Sequence, residues 1–140
     1  MVTQERELAE TIRFAMKATS NLPEPSRTAM DKLGAEVGHD VARSLASRKR
    51  KETYSALVSF WNENGLGRME VQEGASPRIR LTDCYDCNSV RSSGSKAPCA
   101  FKRSLLETIL RDSVDSTAGL EELECCRSQG NACVFRLRFE

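Results

Sequence analysis

The residues of this chain best equipped for chemistry are its six cysteines, all of which lie between Cys84 and Cys133. Thiolate and carboxylate are both zinc donors, and a structural zinc usually takes four ligands in a tetrahedron. Glu122-x-x-Cys125 precedes a turn and Cys133 follows it. If that turn is centred on Gln129, Cys125 and Cys133 face each other across a hairpin, close enough to share an ion. Cys99, at the start of a predicted helix, is a further candidate, because a helix N-terminus favours a thiolate. Glu122 and Cys125 are an odd number apart and would face opposite ways on a regular strand. A site using both therefore requires a bulge or a bend between them.

Other thiol arrangements compete. On spacing alone, Cys84-x-x-Cys87 is an equally good half-site for a metal, and it also suits a dithiol redox switch, although no thioredoxin-like βαβ pattern surrounds it. Cys125 and Cys126 would be an unusual ligand pair, since adjacent side chains diverge. A single free cysteine is ordinarily a small buried hydrophobe; the clustering of these six favours metal. His39, the one histidine, has no serine or reactive-cysteine signature near it and reads as a helix-surface residue. The sequence contains no phosphate loop, no dinucleotide fingerprint and no nucleophile–base pair, so no catalytic residue is assigned and a binding role is expected rather than an enzyme.

The elements that must position these residues fall into two halves. Residues 1–65 read as mainly helical. Leu8, Ile12, Ala15 and Met16 share one helical face; Asn21, Pro23 and Pro25 interrupt; Met30, Leu33, Val37, Val41 and Leu45 then recur at helical spacing. Gly34 and Gly38 sit one turn apart on that second helix, where each costs about 1 kcal/mol relative to alanine and close approach of another backbone is the expected compensation. A third helix carries Tyr54, Leu57, Val58, Phe60 and Trp61 and ends at Gly65 in the left-handed conformation. Ser47 to Lys51 is a basic cluster placed near a helix C-terminus.

In residues 66–140 the period changes. Met69 and Val71 alternate with charged neighbours, residues 74–77 turn the chain, and Ile79 and Leu81 alternate again, predicting a hairpin. Residues 88–96 read as a surface loop, and Pro98 opens a fourth helix with Phe101, Leu105, Leu106, Ile109, Leu110 and Val114. From Cys133 to Phe139 the odd positions are apolar, while Arg136, Arg138 and Glu140 mark a wet face. The expected fold is α+β in a single domain over residues 1–140: N-terminal helices packed on a small antiparallel sheet, with a metal-bearing hairpin towards the C-terminus.

Composition agrees with that class. Hydrophobic residues at 39% and charged residues at 29% are ordinary for a soluble domain. A formal charge of +1 supplies no field to draw the chain onto nucleic acid or an anionic membrane, and neither partner is expected. No apolar run approaches the roughly 18 residues of a membrane span. Glu5, Arg6, Glu7, Glu10, Arg13 and Lys17 argue against a secretory signal, which places the chain in the reducing cytoplasm with its thiols unoxidised.

One family shares the pattern. Leu33-Gly34-x-x-x-Gly38, Phe60-Trp61-x-x-x-Gly65-Leu66-Gly67, Cys99 beginning a helix, and Glu122-x-x-Cys125-x-x-x-x-Gly130-x-x-Cys133-x-Phe135 follow one another in the order of the 4-vinyl-reductase-like family, which this chain resembles. The last motif is the most specific; in it Gly130 stands one residue later than in the family pattern, and Cys84 and Cys87 are additional thiols. The family includes sensor domains of aromatic-responsive transcriptional activators, in which three cysteines and a glutamate hold a structural zinc. The resemblance implies Cys99, Glu122, Cys125 and Cys133 as the zinc ligands here. It also implies a fold like that of vesicle-tethering subunits and haem-based nitric-oxide sensors, and a homodimer. The function so implied is non-catalytic binding or sensing of a hydrophobic or aromatic small molecule, with output through the dimer or through a separate regulatory or enzyme partner. Phe60, Trp61, Phe101, Leu105 and Ile109 are candidate lining for that ligand, and core packing explains them equally well. A redox switch at Cys84 and Cys87 is the alternative, and a reductase rests on the family name alone.

Overall fold

The structure, a computed structural model, describes residues 2–20, 27–45, 50–82, 97–124 and 132–139. In chain order these form α1 (Val2–Ser20), α2 (Arg27–Leu45), α3 (Arg50–Glu63), β1 (Arg68–Gln72), β2 (Arg78–Thr82), α4 (Ala97–Ser113), β3 (Gly119–Glu124) and β4 (Ala132–Arg138). The α+β class with an antiparallel sheet stands as the sequence predicts. No helix among the described residues is long and apolar enough to cross a membrane.

The four strands run antiparallel in the order β1-β2-β4-β3. Alternation sorts their side chains between two faces. Met69, Ile79, Leu81, Cys133, Phe135, Leu137 and Leu120 are buried on one face, where the helices lie. Arg68, Glu70, Arg78, Arg80 and Arg138 are exposed on the other. That outer face is drier than simple alternation implies, because Ala132 and Val134 are also buried.

The first helix buries Ala9, Ile12, Ala15 and Met16, as its periodicity requires. The tightest helix contact is between α2 and α4. A Cβ on Gly34 would lie 2.7 Å from the Phe101 carbonyl oxygen and 2.9 Å from the Leu105 nitrogen; one on Gly38 would lie 2.9 Å from the Leu105 oxygen. The two glycines are thus accounted for by backbone approach within one chain, as their spacing predicts. The third helix ends as expected. Gly65 has φ of 71°, and the Leu66 N–H donates to the Trp61 carbonyl at 3.2 Å. Asn62 Oδ1 then accepts from the Met69 N–H at 2.7 Å, so the helix end also starts β1. The basic cluster departs from expectation. Residues 47–49 lie outside the described residues, and Arg50 and Lys51 open α3 rather than closing α2, so the helix-dipole account of them fails.

Candidate functional site

The β3–β4 pair carries the bulge that the spacing of Glu122 and Cys125 requires. Glu122 pairs with Phe135, but Glu124 pairs with Val134, leaving Leu123 as the extra residue. Directly paired residues share a face. Val71, Ile79, Phe135 and Glu122 therefore form one row across the helix-side face, an apolar row that ends on a carboxylate. The adjacent row runs Met69, Leu81, Cys133. Glu122 and Cys133 thus sit diagonally on one face of neighbouring strands, Cys133 fully buried and Glu122 exposed at the sheet edge.

The other two implied ligands are placed less fully. Cys99 is the third residue of α4, and its side chain lies outside what is described; Cys125 lies outside the described residues altogether, as do Cys84 and Cys87. Among the described residues no group of three metal-donor side chains occurs.

A polar network fixes β3 on α4. Glu107 accepts from Arg103 at 3.2 Å, pairs with Arg111 at 3.3 Å, and takes the Leu120 N–H at 2.9 Å. Arg111 Nε donates to the Ala118 carbonyl at 2.7 Å, and Arg103 reaches across to Asp31 of α2 at 3.2 Å. The start of β3, two residues before Glu122, is held by this network. On the outer face Arg136 and Arg138 both donate to Glu121. The hydrogen bond from Arg136 holds the Glu121 carboxyl below its usual range; the charges of Arg136 and Arg138 act the same way, and desolvation opposes them.

All five candidate lining residues, Phe60, Trp61, Phe101, Leu105 and Ile109, lie in the hydrophobic core. Four carry no polar side-chain atom, but the Trp61 Nε1 is buried and meets no hydrogen-bond acceptor. Two residues escape sequence reasoning. Lys102 is fully buried on α4, and Glu107 is the hub just described. The apolar run from Phe101 to Leu110 leaves Lys102 on an inward stripe, a signal that its charge masks. Glu107 stands four residues from both Arg103 and Arg111, a spacing that pairs charges along a helix, and only its hold on the Leu120 N–H of β3 has no local signal. His39 is a helix-surface residue as expected, its Nδ1 2.5 Å from Asp112 of α4.

The geometry can be set beside that of known proteins. A vinyl-4-reductase family protein from Methanocaldococcus jannaschii superimposes with a TM-score of 0.57 at 17% identity, over 91% of this chain and 77% of that one. The fold is that of a vinyl-4-reductase family protein. Trafficking protein particle complex subunit 3 from Naegleria fowleri, covalently bound to palmitic acid, superimposes with a TM-score of 0.55 at 14% identity, over 100% of this chain and 97% of that one. The resemblance to vesicle-tethering subunits therefore holds at the level of fold. In sequence, an uncharacterized protein of Methanocaldococcus jannaschii is 26% identical over 101 residues, 72% of this chain. The chain spans 60% of the length of that curated relative. No family model matches.

Proposed function

We propose that this chain is a small-molecule-binding module with the vinyl-4-reductase fold, in which a structural zinc pins the β3–β4 pair and an apolar ligand is held between helices and sheet. The observation that carries the zinc reading is the bulge at Leu123. It shifts the β3–β4 register by one residue between Glu122 and Glu124. Glu122 and Cys125 are an odd number apart, and a site that uses both needs such a bulge between them, because on a regular strand they would face opposite ways. With Cys99 at the start of α4, the donors would be three thiolates and one carboxylate, a set suited to structural zinc. Such an ion supplies folding energy and no reaction step.

Apolar ligand binding is supported by the buried aromatic and aliphatic side chains under α3 and by the fold shared with a palmitate-carrying protein. An isologous dimer through α1 is supported by Phe14, which is 74% exposed on that helix. Output then passes through the dimer or a separate partner.

Elemental analysis of the chain purified without added metal tests the centre. About one zinc per chain is expected, as in structural sites of this ligand count. Cys125→Ser should lose the metal and melt at lower temperature, while Cys84→Ser should keep both. A folded, metal-free native protein would sink the zinc reading, and equal metal loss from the two variants would sink the ligand set.

A further inference from the structure

We propose that the indole N–H of Trp61 is the polar fixture of the ligand site beneath α3, and that the ligand is a neutral, mainly apolar molecule with one hydrogen-bond acceptor, such as a ketone or an ether. This rests on the ligand-binding reading above and specifies its chemistry. Trp61 is fully buried, and its Nε1 meets no acceptor. Buried donors in folded proteins are ordinarily paired, and an unpaired one costs the desolvation of that group. A phenylalanine would fill the position with an apolar ring and no such cost.

The position suits entry of a small molecule. The α3 backbone approaches chiefly β1, whereas α2 and α4 are in close backbone contact with each other. The distance from α3 to the rest of the core is spanned by large side chains, Leu57, Phe60 and Trp61 among them, and a ligand there would be admitted by changes of rotamer rather than of backbone. A hydrocarbon there would leave the N–H without an acceptor. An ionised ligand would shed its hydration among apolar side chains. A neutral acceptor avoids both costs.

Acetophenone and ethylbenzene are matched in shape and differ in the carbonyl. Calorimetric titration of the full chain should show acetophenone binding about ten-fold more tightly, the worth of one well-formed hydrogen bond. Trp61→Phe should bind the two alike. Trp61 is the one tryptophan of the chain, so its indole proton gives a single peak in a nitrogen–proton correlation spectrum. That peak should move downfield with acetophenone and stay with ethylbenzene, a readout that needs no variant to fold. Equal affinities in the native chain with an unmoved indole peak would overturn the inference and leave the ligand reading standing. Binding of neither probe would overturn both.

Discussion

The seam between α2 and α4 and the contact beneath α3 are both buried and both apolar, yet they are built in opposite ways. At the seam, two glycines remove side chains so that backbone meets backbone, and a single added methyl group would come within 2.7 Å of a carbonyl oxygen. Under α3, large side chains do the filling, and one of them carries a polar atom without a partner. Backbone-to-backbone packing has few ways to adjust. Packing through long or aromatic side chains has several, since each can change rotamer. The molecule therefore joins a rigid slab, α2 and α4 tied to β3 by Glu107, to a roof that can yield.

The largest expected effect tests that difference with identical chemistry. Leu57 on α3 and Leu105 on α4 are both fully buried. Leucine-to-alanine truncation costs about 3–5 kcal/mol, depending on how far the surroundings collapse into the cavity. Leu105→Ala should fall near the top of that range and Leu57→Ala near the bottom, measured by denaturant unfolding. The reverse order would break the comparison.

A smaller effect comes from filling the seam. Gly38→Ala gains about 1 kcal/mol in helix propensity but meets the Leu105 oxygen and the Thr108 side chain, and overpacking costs about 1–3 kcal/mol. Net destabilisation is expected. A stabilised variant would show that the seam can open.

The smallest effect lies on the outer sheet face, which neither region controls. Glu121 has its pKa lowered in the folded state, so its pairing with Arg136 and Arg138 stabilises the protein above the unfolded pKa of a glutamate. That contribution fades as pH falls through the lowered folded value. Glu121→Gln should therefore narrow the gap in melting temperature between neutral and acid conditions slightly, and salt should shrink the effect because the group is exposed.

Much of this arrangement is legible in local pattern. The period change after Gly65 marks where helices give way to strands, and the odd apolar positions from Cys133 to Phe139 mark the buried face of β4. The odd spacing of Glu122 and Cys125 even demands a bulge, although nothing local says that Leu123 takes it up. What escapes is long-range. Gly34 and Gly38 announce a close neighbour but not that it is α4, some seventy positions on in sequence. The exception is Lys102, which reads as a surface charge although Leu105, Leu106 and Ile109 place it on the inward stripe of α4, because its charge masks that local signal. The implied zinc site is legible only as a motif, since two of its four side chains, Cys99 and Cys125, lie outside the described residues.

The position of β4 has a consequence for synthesis. It comes last among the described elements, yet it lies inside the sheet, between β2 and β3. Until it leaves the ribosome, β3 has no strand to pair with and the β1–β2 hairpin keeps an open edge. Sheets closed by such distant pairing form slowly. Chains truncated before Ala132 should therefore remain protease-sensitive beyond α4, and chains that include Ala132–Arg138 should protect the whole sheet in one step.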